Sequence, residues 1–137
     1  MREFKLIKSN TTLIQFVKFG IVGVSNTLLT ALVIYLLLEV LNCSDYLSNV
    51  AGYVLGLINS FIWNQKWTFA NKSSIKNTFF KFVLIFIISY AVQLGNLFLW
   101  LNYTSVNPYI CQLISMIIYI GLNFTLNKIY TFKTHLS

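Results

Sequence analysis

The chain has 137 residues, 57% hydrophobic and 9% charged, with a formal net charge of +7. A soluble domain of ordinary composition is about 45–50% apolar and about 25% charged, so there is too little charge here to cover a water-facing surface. One histidine and three acids, Glu3, Glu39 and Asp45, supply no paired carboxylates, metal-spaced ligands or Ser-His-Asp set, so neither enzymatic activity nor a cofactor or metal is expected.

In chain order, residues 1–12 read as a polar basic tail without hydrophobic period, including Arg2, Lys5 and Lys8. Four charge-free apolar runs follow: Phe19–Leu38, Leu47–Trp63, Phe82–Leu101 and Tyr109–Leu126. Each matches the roughly 17–25 residues with which a helix crosses a bilayer core. The first run exceeds the apolar core of a cleaved signal, about 7–15 residues, and no small-x-small site follows it, so it reads as a retained span. Between runs one and two lies the short loop Asn42–Tyr46, and between three and four Asn102–Pro108. Asn71–Ser74 is the only other clear linker. Every basic residue falls on the opposite side from the two short loops: Lys18 and the tail, then Lys66, Lys72, Lys76 and Lys81, then Lys128 and Lys133. Basic residues in short loops stay cytoplasmic. The positive charge therefore reads as a topology signal, not as a nucleic-acid surface.

The expected fold is an all-α membrane protein of the cell membrane, multi-pass, with both termini cytoplasmic. A single four-helix transmembrane domain, 13–133, comprises hairpin one, 15–69, and hairpin two, 78–132. Gly20, Gly23, Thr27 and Thr30 stripe span one, and Ser48, Gly52, Gly56 and Ser60 stripe span two. Small residues at such spacing let backbones approach closely in lipid, so these two stripes are expected to meet. Trp63, Trp67, Phe69, Tyr130 and Phe132 mark one aromatic belt; Tyr46, Trp100, Tyr103 and Tyr109 mark the other. Cys43 and Cys111 read as small packing residues, with pairing left open.

The chain also repeats itself. Asn64-Gln65-Lys66-Trp67-Thr68-Phe69 recurs 63 positions later as Asn127-Lys128-Ile129-Tyr130-Thr131-Phe132. The same offset pairs Phe16-Val17-Lys18-Phe19 with Phe79-Phe80-Lys81-Phe82, Tyr46 with Tyr109, and Phe61 with Phe124. Each copy contains an even number of spans, so the two hairpins form a parallel repeat related by an axis along the membrane normal. Gly52 pairs with Ser115 and Gly56 with Tyr119, so the halves cannot pack identically.

Two residue sets suit an anionic, hydroxyl-rich ligand. Lys18 and Lys81 open equivalent spans; Lys66 and Lys128 follow spans two and four, one position out of register; Asn64 and Asn127 stand in register beside them. A lysine ammonium offers three donors and a point charge, and an Asn amide two more donors, a combination suited to phosphate at headgroup depth. The alternative is attraction to anionic lipid alone, worth about 1 kcal/mol per Lys. Within the spans, Asn26, Asn59, Gln93, Asn96 and Asn123 are candidates for a polar route, against a plain role as glue between helices. Ser89, Gln93 and Asn96 share one face of span three.

Phe16, Gly20 and Asn26, the four spans, and the closing N-x-x-[WY]-T-F phrase resemble the GtrA-like family over about residues 12–133. Family members often carry Asn-Arg before the aromatic; here the basic residue is Lys, one position later in the first copy. The resemblance implies work on polyprenyl-phosphate-linked sugars: moving them from the cytoplasmic to the outer leaflet, where other enzymes transfer the sugar to O-antigen, teichoic acid or arabinogalactan. The implied partners are the lipid-linked sugar, membrane lipids, membrane glycosyltransferases and, as one allowed state, a second copy of the chain. A non-transporting subunit that anchors or stabilises a polyprenyl-phosphate glycosyltransferase is the competing reading. A four-span proton-coupled exporter ranks below both, because its carboxylate would have to lie within the membrane and Glu39 lies at a span end.

Overall fold

The computed structural model describes residues 2–133, without the side chains of residues 2–10, Tyr46 and Tyr109. The belt positions Tyr46 and Tyr109, the basic side chains of the tail, and His135 lie outside the described residues. Four helices account for the architecture: α1, Arg2–Tyr35; α2, Asp45–Trp63; α3, Ile75–Tyr103; and α4, Pro108–Leu126. The expected all-α, four-helix fold is the observed one. Three stretches are long and apolar enough to cross a membrane, Thr11–Val40, Ile75–Tyr103 and Ile110–Thr131. The remaining helix, α2, is not among them: Ser48, Asn49, Asn59 and Ser60 dilute its apolar residues. Helix α1 begins at Arg2 and runs through the basic tail.

Three helices close on a π-helical turn: α1 on Leu36–Val40, α2 on Asn64–Thr68 and α4 on Asn127–Thr131. The wider turn shows in bonds spanning five residues: Leu41 N–H to Leu36 O at 3.0 Å, Phe69 N–H to Asn64 O at 2.9 Å, and Phe132 N–H to Asn127 O at 2.8 Å. After the first two turns the chain reverses through a left-handed residue, Asn42 at φ 51° and Ala70 at φ 46°. The next amides then return to the helix, Cys43 N–H to Leu37 O and Asn71 N–H to Gln65 O, both at 2.8 Å. These bonds satisfy carbonyls that a helix end would otherwise leave unpaired. The N-terminal ends are simpler. Ser44 caps α2 by accepting from Leu47 N–H, and Pro108 opens α4, where its missing N–H has no intrahelical partner to lose.

The chain divides into two compact units, Met1–Lys72 and Ser73–Ser137. In the first, α2 presses its glycines against α1. A Cβ added at Gly52 would lie 2.6 Å from Ile34 Cγ1 and 3.2 Å from Thr30 O, and one at Gly56 would collide with Thr30 Oγ1 and sit 3.2 Å from Asn26 Oδ1. Thr30 Oγ1 donates to Gly52 O at 3.3 Å across the same seam. The span-two stripe therefore does what its spacing predicts. The span-one stripe does not: Gly20 and Gly23 have nothing within 4 Å of an added Cβ, and Thr27 turns back to Gly23 O in its own helix. Only Thr30 of that stripe reaches α2, because the line of contact on α1 runs through Asn26, Thr30 and Ile34, at helical spacing of four.

The second unit uses the equivalent positions differently. Ser115, in place of Gly52, is fully buried and donates from Oγ to Asn96 Oδ1 at 3.0 Å, joining α4 to α3. Tyr119, in place of Gly56, meets Phe86 edge-on with ring centroids 6.4 Å apart. Beneath these differences the same register is buried in both units: Val22 and Ile85, Phe61 and Phe124, Phe69 and Phe132, Ser48 and Cys111. Both cysteines are unpaired.

Candidate functional site

The duplicated phrase builds the same local structure twice. In the first unit, Lys18 of α1 reaches the π turn that ends α2. Its Nζ donates to the Trp67 carbonyl at 3.4 Å and lies 5.1 Å from the Trp67 ring centroid. One residue along, Phe19 meets Phe69 with centroids 6.4 Å apart. In the second unit Lys81 Nζ lies 5.7 Å from the Tyr130 ring centroid, and Phe82 meets Phe132 at 6.1 Å. All four residues of one cluster correspond to those of the other at the repeat offset. A cation over an aromatic face is held by the ring quadrupole, and the carbonyl end of a helix adds a partial negative charge. The ammonium is thus steered to one place, and its three donors exceed what one carbonyl contact engages. The described acids Glu39 and Asp45 belong to the other end of hairpin one, at the close of α1 and the start of α2.

The remaining sequence-predicted cations are less fixed. Lys66 is exposed. Lys128 folds back along its own helix, its Nζ 5.8 Å from the Phe124 ring centroid.

Asn64 and Asn127 are almost wholly buried, at 1% and 0% exposure. Their amide N–H groups are engaged within the helix. Asn64 Nδ2 donates to Ser60 Oγ at 3.3 Å, and Asn127 Nδ2 donates to Asn123 O at 3.0 Å and Asn123 Oδ1 at 2.8 Å. A main-chain carbonyl can only accept, which fixes the orientation of the Asn127 amide. The open valence of Asn127 is therefore an acceptor; Asn64 Oδ1, like Asn127 Oδ1, is buried without a hydrogen-bond partner, as are Thr68 Oγ1 and Thr131 Oγ1 one turn on. Leaving such a group unsatisfied costs about 1–3 kcal/mol. The phosphate-donor role expected of the two asparagines would draw on amides that already make two bonds within the helix at Asn127 and one at Asn64.

Of the polar-route candidates, Asn26 sits opposite Gly56, Asn96 accepts from Ser115, Asn123 accepts from Asn127, and Asn59 and Gln93 are half-buried. Sequence reasoning did not single out the pairing of Lys18 with Trp67 and Lys81 with Tyr130, or the buried hydroxyls of Thr68 and Thr131. The signal for the first was present, since both members of each pair recur at one offset. For the hydroxyls the identity of the Thr in both copies was the available hint.

Against known proteins, the family model described as GtrA/DPMS, transmembrane domain, matches residues 18–132. The chain is similar to the uncharacterized membrane protein YngA of Bacillus subtilis, 28% identical over 116 residues that cover 84% of this chain and 77% of that protein. It is similar to the uncharacterized membrane protein YwcD of the same organism, 21% identical over 117 residues, 82% of this chain and 92% of that one. It is also 26% identical over 137 residues to a dolichol-phosphate mannosyltransferase of Pyrococcus furiosus, covering 96% of this chain but only 37% of that enzyme.

Proposed function

Since the chain belongs to the GtrA/DPMS transmembrane domain family, we propose that it carries a polyprenyl-phosphate-linked sugar from the cytoplasmic to the outer leaflet of the cell membrane, for glycosylation of cell-surface polysaccharide or teichoic acid. The chain itself acts as a carrier and not a catalyst, with the lipid-linked sugar as its ligand and membrane glycosyltransferases as its partners. Both termini and the Asn71–Ser74 linker face the cytoplasm, following the basic residues. The observation that carries this reading is the recurrence of one lysine–aromatic cluster, Lys18 with Trp67 and Lys81 with Tyr130, at the ends where those basic residues gather. Each cluster presents an ammonium to a phosphodiester at headgroup depth. The name of the Pyrococcus relative supplies the class of lipid.

The energetics favour the proposed direction. The sugar and phosphate, left alone in hydrocarbon, would lose several kcal/mol for each unsatisfied group, and polar side chains within the spans, Asn26 and Asn59 in the first unit and Gln93, Asn96 and Asn123 in the second, would replace part of that hydration. Moving one anion outward across an inside-negative membrane gains about 2.3 kcal/mol per 100 mV.

The test is reconstitution of the purified chain in vesicles with a labelled polyprenyl-phosphate sugar in one leaflet. Accelerated exchange is expected, and exchange no faster than in empty vesicles would overturn the carrier reading. The double variant K18Q/K81Q is expected to bind polyprenyl phosphate about tenfold or more weakly, since a hydrogen bond to a charged group contributes about 1.5–3 kcal/mol. Unchanged binding would remove the lysines from the site.

A second reading has its own support. The chain corresponds to 37% of the mannosyltransferase it resembles, as a membrane part accompanying an enzyme would. On that reading it anchors or stabilises a polyprenyl-phosphate glycosyltransferase and moves nothing. Co-purification with such an enzyme, together with no leaflet exchange by the pure chain, would favour it.

A further inference from the structure

We propose that Asn64 with Thr68, and Asn127 with Thr131, form two equivalent hydroxyl-binding cradles for the sugar of the carried lipid, separate in role from the lysines that meet its phosphate. The proposal rests on the carrier reading and goes on to assign the part of the ligand that each group recognises.

Among the described residues, seven buried side-chain atoms have no hydrogen-bond partner. Apart from Gln15 Oε1 they fall into repeat pairs: Asn26 Oδ1 with Ser89 Oγ, Asn64 Oδ1 with Asn127 Oδ1, and Thr68 Oγ1 with Thr131 Oγ1. A lone buried orphan could be an accident of packing. The same two orphans, in the same residue types, at the same two positions of two π turns are not. The copies have changed elsewhere, with Ser115 for Gly52 and Tyr119 for Gly56, yet these Asn and Thr residues are identical. Their exposures are 1%, 3%, 0% and 4% for Asn64, Thr68, Asn127 and Thr131, where an unmet polar atom is least tolerable.

The charge around the cradles selects the ligand chemistry. Asn and Thr stand four apart and share one face of the turn. Asn Oδ1 can only accept, and Thr Oγ1 accepts or donates. An anion is disfavoured by the acceptor oxygen and by the negative end of the helix dipole. A small cation is disfavoured by the ammonium already held on the same turn, Lys18 at the Trp67 carbonyl. A neutral O–H donor suits both constraints. Water and a sugar hydroxyl share that chemistry, but the sugar arrives joined to the phosphate that Lys18 and Lys81 address. Trp67 and Thr68 are adjacent in sequence, as are Tyr130 and Thr131, so the phosphate and hydroxyl contacts lie within one turn. Exposed residues flank each buried pair, Lys66 and Trp67 in the first copy, Ile129 and Tyr130 in the second.

The test uses the full chain in lipid nanodiscs and two probes, polyprenyl-phosphate mannose and polyprenyl phosphate alone. T68V/T131V removes both hydroxyls at nearly constant shape, and T68S/T131S restores them. The expected result is affinity for the mannose lipid about tenfold lower in the valine variant, as loss of buried hydrogen bonds would give, with bare polyprenyl phosphate bound as by the wild type and the serine variant close to wild type on both. Equal loss on both lipids, or no loss on either, overturns the proposal, and the latter with a raised Tm identifies the hydroxyls as uncompensated or as water sites. If the wild type binds neither lipid, the carrier reading fails as well; if it binds both and the valine variant matches it, only the cradle assignment fails.

Discussion

Ala70 holds φ 46° just past the π turn Asn64–Thr68, a left-handed conformation that costs an L-residue with a Cβ roughly 1–2 kcal/mol. The turn needs it: only by reversing there can Asn71 N–H return to Gln65 O at 2.8 Å. Glycine would remove the clash without disturbing the bond. A70G is therefore expected to stabilise the protein by about 1 kcal/mol, read as a higher Tm in detergent with unchanged helicity. An unchanged or lower Tm would mean that the reversal is not strained. This conformation was not legible in the sequence: Asn71–Ser74 reads as a linker, but nothing marks Ala70, rather than Asn71, as the left-handed residue. The lysines were legible as a rim but not as ring partners, because the five-residue bonding of a π turn decides which way Trp67 and Tyr130 present their faces. A 3.6-residue periodicity says nothing about that. The unpaired acceptors were less legible still, since the sequence names an amide without saying which of its ends is engaged.

At the scale of helices, each of the four apolar runs is a helix, and three of them lie in stretches long and apolar enough to cross a membrane, because absence of charge over a bilayer's length has few other meanings. The π turns were invisible, each being a single turn. Small-residue spacing was half informative. It identified Gly52 and Gly56, which α1 approaches to within 3.2 Å of where a Cβ would stand, but the same pattern at Gly20 and Gly23 faces open space. A spacing rule finds faces on which close approach is allowed, and only the partner's line of contact shows where it occurs. The two sites should therefore respond oppositely. G56L is expected to destabilise hairpin one by about 1–3 kcal/mol or more through overpacking against Thr30 and Asn26, while G20A, adding a methyl in open space to a helix, should be neutral or stabilising by up to about 1 kcal/mol. Thermal melts of both variants decide this; equal losses would mean that Gly20 also meets a neighbour.

For the whole molecule, the charge distribution makes the boldest statement. Ser74 and Ser105 lie in loops at opposite ends of α3, Ile75–Tyr103. In a chain with C43S and C111S, S74C is expected to react with a membrane-impermeant maleimide only after the cytoplasmic side is opened, and S105C in intact cells. The reverse pattern, or reaction of both from one side, would overturn the proposed orientation. That one hairpin is used twice was legible from the phrase, because a six-residue echo with aromatic and basic residues at fixed places is hard to obtain from composition. What the echo concealed is how differently the copies are sealed inside.

The seam of hairpin one closes glycine backbone against Thr30 and Ile34, with Thr30 Oγ1 donating to a main-chain carbonyl, whereas that of hairpin two runs through the hydroxyl of Ser115 and the amide oxygen of Asn96. At Gly52 and Gly56 there is no room even for a Cβ, so water can enter there only after the backbones part. A single hydroxyl–amide bond can be exchanged for two bonds to water at little enthalpic loss. Water that reaches the seams therefore acts on the two halves unequally: in hairpin two it can replace the side-chain bond between the helices, and in hairpin one it meets close-packed backbone first.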